Sequence, residues 1–171
     1  MLPVKNIENF YHSHIVNLET AVNLASRLKE EDRTVGLCHG CFDLLHPGHI
    51  KHLESAKYLC DFLFVSITAD EFVKSTKGFE RPIFQEELRA YMLANLRAVD
   101  CVIISKNCSG DEIIQEIKPS LYIKGPECKI KITPGLVKEI NAIDKVGGKI
   151  VYTADPLLST TEIINYIQNL S

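Results

Sequence analysis

The chain has 171 residues, a formal net charge of −3, and apolar and charged shares of 46% and 24%. This length fits one domain with a sizeable buried core. The slightly negative charge gives no overall attraction to nucleic acid or to an anionic membrane, so any anion site must be local. No apolar run approaches the ~20 residues that span a bilayer, and the first residues lack a signal-peptide pattern. We therefore expect a cytoplasmic protein that binds neither nucleic acid nor membrane.

The chain contains six cysteines, and their spacing is not that of a small disulfide-bonded secreted domain. Most of them lie in apolar runs. We therefore expect them to be reduced thiols.

Residues 1–16 show no clear pattern and are expected to form an N-terminal arm, followed by one domain over 17–171. Apolar residues from Leu18 to Leu28 recur at helical spacing, and Asn17 is a suitable N-cap. Further helices are predicted at 47–60, 71–77, 85–97, 111–117, 136–146 and 161–170. Short apolar runs predict strands at 34–37, 61–67, 101–104, 120–123 and 149–152.

Strands that alternate with helices predict an α/β domain with a parallel sheet and right-handed crossovers. Ligands of such sheets bind beyond the carboxyl ends of the strands. Segments 39–49, 124–129 and 158–161 follow the first, fourth and fifth predicted strands. All three segments are therefore expected at one edge of the sheet.

The step His46-Pro47-Gly48-His49 opens a predicted helix directly after the first strand. Proline fits the first helical position, where its missing N–H costs no hydrogen bond. The free amides of that turn and the helix dipole form an anion site, and two histidines three residues apart lie on one helix face beside it. We interpret this step as a phosphate site, although two histidines could also simply cap the helix.

A second interpretation uses some of the same side chains. Cys38 and Cys41, with His46 and His49, have the ligand types of a structural zinc site, and a C-x-x-C pair can also be a redox pair. Cys38 ends a buried strand, however, and redox pairs of this type open a helix with their first cysteine. We favour phosphate binding over metal or redox use.

The stretch Gly40-Cys41-Phe42-Asp43-Leu44-Leu45-His46-Pro47-Gly48-His49 resembles the signature of the cytidylyltransferase-like nucleotidyltransferases. Within this superfamily the chain is similar to the nucleotidyltransferase domains of ADP-heptose synthases. The similarity continues in an ordered series: Lys77-Gly78, Arg81-Pro82, Arg89, Leu96-Arg97-Ala98-Val99-Asp100, Ile123-Lys124-Gly125-Pro126-Glu127, Gly147-Gly148 and Leu158-Ser159-Thr160-Thr161-Glu162-Ile163-Ile164. The resemblance implies a Rossmann-like three-layer domain whose five strands, numbered along the chain, have the order 3-2-1-4-5.

The resemblance also implies a reaction. A nucleoside triphosphate, ATP or CTP, would transfer its nucleotidyl group to a phosphorylated sugar or polyol, with release of pyrophosphate. Heptose 1-phosphate is the leading acceptor and AMP the favoured group, and Mg²⁺ would be bound mainly through the phosphates. A homodimer is expected, and any kinase step would belong to a separate protein.

The resemblance gives roles to individual residues. His46, His49 and Lys77 are predicted to be catalytic, with Lys77 in a glycine-containing loop that closes over the phosphates. Asp43 is expected to hold its own loop through an Asx turn. Arg89 and Arg97 are eight residues apart on one predicted helix and should face the same side. Either could equally form a structural ion pair or a dimer contact. The predicted nucleotide or phosphate ligands are Gly40, Cys41, Phe42, Gly48, Lys74, Arg81, Arg89, Arg97, Lys124, Gly125, Glu127, Ser159, Thr160 and Thr161.

The sequence departs from the family pattern at three places. Pro126, Glu127 and Cys128 replace the commoner Gly-Asp-Tyr, which leaves the recognition of the base open. His39 stands where the heptose enzymes usually carry asparagine. The stretch 155–161 lacks the arginine of the glycerol-phosphate and choline-phosphate cytidylyltransferases, which favours the heptose-like branch. A cytidylyltransferase for a small polyol phosphate is the alternative enzyme, and a nucleotide-binding regulatory module is the alternative outside catalysis.

Overall fold

The computed structural model describes residues 1, 6–107, 109–156 and 158–170, with the backbone alone for Glu8. Part of the predicted arm (residues 2–5), Cys108, Leu157 and the last residue lie outside this description. The five described cysteines are free thiols, as predicted, whereas the prediction for Cys108 falls outside the described residues.

The described elements follow the predicted alternation of strands and helices. The strands are β1 (Ile15–Val16), β2 (Val35–Gly40), β3 (Phe62–Thr68), β4 (Cys101–Ser105), β5 (Leu121–Lys124) and β6 (Lys149–Tyr152). The helices are α1 (Leu18–Glu30), α2 (Pro47–Tyr58), α3 (Asp70–Lys77), α4 (Glu86–Ala94), α5 (Asp111–Ile117), α6 (Glu127–Ile130), α7 (Pro134–Lys145) and α8 (Thr160–Gln168), with a 3₁₀ turn at Ile7–Asn9. As predicted, the Asn17 side chain caps α1 by accepting the Thr20 N–H at 2.8 Å.

The sheet is parallel and has six strands in the order β1-β4-β3-β2-β5-β6. The prediction of five strands was therefore wrong, although the five predicted strands have the expected order within the sheet. The sixth strand, Ile15–Val16, comes from the segment predicted as an arm and pairs with Val102 and Ile103 of β4. Two residues are too few for an alternating pattern to appear in the sequence.

Apolar side chains cover both faces of the sheet and produce the predicted three layers. One core cluster joins α1, α5 and α7 to the sheet through residues such as Leu37, Phe64 and Ile114. The other joins α2 and α4 through residues such as Leu53, Val65 and Leu93. Central strands buried on both faces are typical of parallel sheets. This arrangement fixes the carboxyl ends of β2, β5 and β6 beside the start of α2.

Two helix predictions need correction. The helix expected over 85–97 ends at Ala94, because the chain turns at 96–99 to enter β4. The short helix α6 was not predicted and lies where the sequence departs from the family pattern. Among the described residues, no helix is long and apolar enough to cross a membrane.

Candidate active site

The loops after β2, β5 and β6 meet the start of α2 and α8 around two adjoining cavities. The outer cavity, of about 610 Å³, is lined by His46, Gly48 and the Ser159–Thr161 start of α8. The inner cavity, of about 250 Å³, is lined by Gly40, Cys41, Phe42 and Lys124. Both are lined by His49, His52, Lys77, Gly125, Glu127 and Thr160. The structure thus brings most of the predicted site residues together.

The start of α2 is built by His46, Pro47 and Gly48. His46 is the N-cap, and its Nδ1 accepts the His49 N–H at 3.3 Å. Pro47 takes the first helical position, which its fixed φ favours. A Cβ at Gly48 would lie 3.0 Å from the Leu158 Cβ and 3.1 Å from the His46 Nδ1. Glycine is therefore needed where the first turn of α2 passes close to the loop before α8.

His46 and His49 form a stacked pair of imidazoles. Their ring centroids lie 3.7 Å apart at an interplanar angle of 20°, and the edge of Phe42 packs at 5.2 Å from the His49 ring. His46 Nε2 and His49 Nδ1 are both buried and have no hydrogen-bond partner in the structure. Buried polar atoms are normally paired, so these two nitrogens are candidates for pairing with a ligand.

Both imidazoles are neutral at physiological pH. Burial lowers the pKa of His46 below its usual 6.5. Burial, followed by the charges of His46, His52 and Lys77, lowers the pKa of His49 to about 4. Each neutral ring carries one N–H. The pair can therefore donate hydrogen bonds to phosphate oxygens, and an arriving negative charge would favour protonation of the rings.

These pKa values predict an acid-sensitive fold. Because the pKa of folded His49 lies below the unfolded value of 6.5, the unfolded chain takes up protons first as the pH falls. The contribution of His49 to stability is complete above pH 6.5 and declines as the pH falls towards 4. We expect the melting temperature to drop over this window, and His49→Gln to make the drop shallower.

The check is the melting temperature between pH 7.5 and 4.5 for the native protein, His49→Gln and His14→Gln. His14 is exposed in the segment beside β4, so its variant should keep the native slope. An unchanged slope in His49→Gln would contradict the assignment.

A second helix start contributes to the outer cavity. Ser159 occupies the N-cap position of α8, and its side chain makes no capping bond. Thr160 donates its hydroxyl to the Leu44 carbonyl at 3.3 Å, which ties α8 to the loop before α2. Ser159, Thr160 and Thr161 at the start of α8 line the same cavity as the histidine pair. Helix N-termini favour anions, so two of them serve this one cavity.

Asp43 joins two loops instead of closing an Asx turn in its own. It is 1% exposed, and its carboxylate accepts hydrogen bonds from Arg81 Nε at 2.5 Å and from the Ile83 and Phe84 N–H groups. Arg81, predicted to bind phosphate, is thereby directed at Asp43, and its Nη2 is buried without a partner. The pair fixes the loop that follows Lys77.

Removal of the Asp43 carboxylate should destabilise the fold. Asp43→Ala leaves Arg81 as a buried unpaired charge, and breaking such a pair costs about 3 kcal/mol or more. We expect the free energy of unfolding in urea to fall by about this amount. Glu80→Ala, at an exposed neighbouring position, should be near native. Equal stability of the two variants would contradict the structural role of Asp43.

Arg89 does not lie at the cavities, which corrects its predicted role as a phosphate ligand. It is 0% exposed, and its guanidinium donates to the carbonyls of Phe84, Cys41 and Thr68 and to Asp70 at 2.6 to 3.0 Å. These partners leave it directed at the protein interior. Arg89 therefore joins the loops after β2 and β3.

Lys74 and Arg97 also lie elsewhere. Lys74 lines a separate depression together with the acidic residues Asp70, Glu71 and Glu86. Arg97 follows the end of α4, near Tyr58 at the end of α2 and before β4 begins. It is therefore at the amino ends of the strands. The expectation that Arg89 and Arg97 share one helix face was wrong because the helix stops before Arg97.

Two residues of the site were missed in the sequence. His52 lines both cavities, with Nδ1 at 3.0 Å from Thr153 Oγ1 and Nε2 at 3.6 Å from Cys38 Sγ. His52 follows His49 by three residues, and this helical spacing could have predicted that it lies on the same face of α2. Asp155 lines the outer cavity and accepts the Ser55 hydroxyl at 2.8 Å, while its Oδ2 is buried without a partner. No local pattern indicated Asp155.

The geometry does not support the zinc interpretation. Cys38 Sγ contacts His52, and His46 Nδ1 caps α2, so these predicted ligands are directed at different partners. Burial raises the pKa of the Cys41 thiol and that of Cys38 still further. Among the described residues, no group of three or more His, Cys, Asp or Glu side chains is arranged to hold a metal ion.

Two helix N-termini and a pair of neutral imidazoles lie at the carboxyl edge of the parallel sheet of this α/β protein, an arrangement that suits phosphate groups. The family model described as cytidylyltransferase-like matches residues 37–166. The chain belongs to this family, as the histidine motif predicted.

Similar proteins support this membership. The "Bifunctional protein HldE" of Aliarcobacter butzleri is 37% identical over 159 residues, which is 92% of this chain and 32% of that protein. The protein of the same name from Sulfurimonas denitrificans is also 37% identical, over 91% of this chain and 31% of that protein. The chain thus spans about a third of the length of these curated relatives.

Two solved structures share the fold. The lipopolysaccharide core biosynthesis protein of Thermoplasma volcanium aligns with a TM-score of 0.62 and 27% identity, over 73% of this chain and 99% of that one. A pantoate-β-alanine ligase from Francisella tularensis aligns with a TM-score of 0.52 over 91% of this chain and 77% of that one. At 16% identity, the second comparison supports the fold alone.

Proposed function

We propose that this protein transfers AMP from ATP to a phosphorylated sugar such as heptose 1-phosphate, releases pyrophosphate and forms a nucleoside-diphosphate sugar. One observation carries the proposal: His46 and His49, each with a buried ring nitrogen that has no hydrogen-bond partner, line a cavity shared with the start of α8. The HldE relatives and the lipopolysaccharide core biosynthesis protein support a sugar phosphate as the acceptor.

The residues present favour catalysis by positioning and charge neutralisation. The acceptor phosphate is already an anion at neutral pH, so the attack on the α-phosphate needs no general base. An acceptor oxygen forms a bond to the α-phosphorus while the bond to the pyrophosphate oxygen breaks. The N–H groups of His46 and His49 and the start of α8 would stabilise the negative charge that develops.

Lys77 would supply the cation that neutralises the phosphates. It ends α3, is exposed, and lines both cavities. Its flexible ammonium can follow the charge as it moves from the α-phosphate to the leaving pyrophosphate. The position of Lys77 between the two cavities suits this role.

The residues of the outer cavity fit a magnesium ion. Mg²⁺ in nucleotide sites is held by phosphates, water and one or two carboxylates. Asp155 offers an unpaired buried oxygen at the outer cavity, and we propose that it helps to hold the ion. When bound, Mg²⁺ would neutralise phosphate charge.

We also propose a cytoplasmic homodimer. The family resemblance supports the dimer, and the need for nucleoside triphosphates supports the location. Light scattering after size-exclusion chromatography would measure the mass, and a monomer at micromolar concentration would contradict the dimer.

The test is pyrophosphate release from ATP, CTP, GTP and UTP, each with heptose 1-phosphate, glycerol 3-phosphate or choline phosphate. We expect the fastest release with ATP and heptose 1-phosphate, and none above background without an acceptor. Fastest release with CTP and glycerol 3-phosphate would instead favour the cytidylyltransferase alternative. The proposal fails if no pair reacts and no triphosphate raises the melting temperature, as a ligand of the folded state must.

A further inference from the structure

A buried polar cluster reaches the inner cavity through Lys124, which the sequence predicts to be a nucleotide or phosphate ligand. It consists of Lys124 and Tyr122 on β5, and Glu139 on α7. Glu139 is 4% exposed and Tyr122 fully buried, while Lys124 lines the inner cavity. A charged carboxylate buried to this degree needs specific partners.

The contacts within this cluster fix the Lys124 ammonium in place. Lys124 Nζ lies 3.0 Å from Glu139 Oε2 and 3.3 Å from the Tyr122 hydroxyl. The other carboxylate oxygen of Glu139 accepts the Gly110 N–H at 3.0 Å. An ammonium has three N–H donors, and these partners account for two. Since Lys124 lines the cavity, the third is available to a ligand there.

The charge balance of the cluster determines which ligand group fits. Lys124 and Glu139 neutralise each other, whereas Lys77, at the same cavity, is exposed and makes no such buried pair. A neutralised ammonium held by two partners acts as a directed donor, suited to a neutral oxygen such as a hydroxyl. The mobile charge of Lys77 and the donors of His49 suit a phosphate.

From this arrangement we infer that Glu139 is a positioning residue for acceptor recognition. It holds Lys124 at the inner cavity, where Lys124 donates to a hydroxyl of the acceptor sugar and not to the nucleotide as the sequence predicted. The acceptor phosphate lies towards His49 and Lys77. This inference rests on the proposed transfer to a sugar phosphate. In this role, Glu139 and Lys124 together determine the specificity of the protein for polyol phosphates over simple alkyl phosphates.

The test is Glu139→Gln, which keeps the shape of the side chain and removes its charge. With ATP and heptose 1-phosphate, we expect the KM for the sugar phosphate to rise about tenfold or more, the scale of a charge-assisted hydrogen bond. The kcat and the KM for ATP should stay within about twofold. Ethyl phosphate, as a competitive inhibitor against the acceptor, should keep its native inhibition constant because it has no sugar hydroxyl.

Further variants keep the test decisive if Glu139→Gln folds poorly. Lys124→Met should raise the same KM, and Tyr122→Phe should raise it by a smaller factor because it removes only one partner of the ammonium. Glu116→Gln, at an exposed position on α5, is the matched control and should be native in every constant.

Two results would overturn the inference: a rise in the KM for ATP in place of that for the acceptor, or native constants in folded Glu139→Gln and Lys124→Met. A native protein that turns over no substrate pair would instead refute the proposed function itself. The two failures are therefore distinguishable.

Discussion

Replacement of His46 by asparagine should lower kcat about 100-fold or more and leave the fold intact. Asparagine is a preferred N-cap, so its side-chain oxygen can accept the His49 N–H as His46 Nδ1 does now. The substitution removes the buried, unpaired Nε2 of a side chain that lines the outer cavity. Loss of one donor to a transition-state oxyanion has this magnitude.

His46→Ala separates the two functions of the side chain. It should lose the same activity and in addition destabilise the fold by about 1 kcal/mol, since alanine cannot cap α2. Steady-state kinetics and thermal melts of both variants, with His14→Ala as the exposed control, check this. Near-native kcat in His46→Asn would refute the role of Nε2 and leave His46 as a helix cap only.

The histidine motif was predictable because its determinants are local. All of its residues lie within one helical turn: a proline at the first helical position, a glycine beside it and two histidines three residues apart. The parallel sheet then brought the ends of β2, β5 and β6 to one edge, as expected for any such sheet. Most of the residues that the sequence predicted for the site therefore line the two cavities.

The sequence-based predictions failed for residues whose roles depend on partners far away in the chain. Glu139 was not noticed because its partner Lys124 is 15 residues away and no motif connects them. Asp43 was expected to act within its own loop, but its partners are at 81–84. Such pairings arise only when loops meet across the sheet, and a single sequence shows no periodicity for them.

Arg89 is the clearest example of a residue whose role depends on distant partners. Its replacement should have the largest effect on the stability of the fold. Its guanidinium is fully buried and bonded to Cys41, Thr68 and Asp70 as well as to Phe84. Arg89→Met would remove the Arg89 donor from the three backbone carbonyls and break the ion pair with Asp70. Breaking a buried pair of this kind costs about 3 to 5 kcal/mol.

We therefore expect urea unfolding to show that Arg89→Met lowers the free energy of unfolding by this amount. Arg89→Lys should restore little of it, because an ammonium cannot reproduce the planar set of donors of a guanidinium. Arg97→Met is the matched control at an exposed position and should stay within about 0.5 kcal/mol of native. A stable Arg89→Met with a raised KM for ATP would restore Arg89 as a phosphate ligand. The expected result instead makes it the residue that holds the Cys41 loop, and with it the start of the histidine motif, against the end of β3.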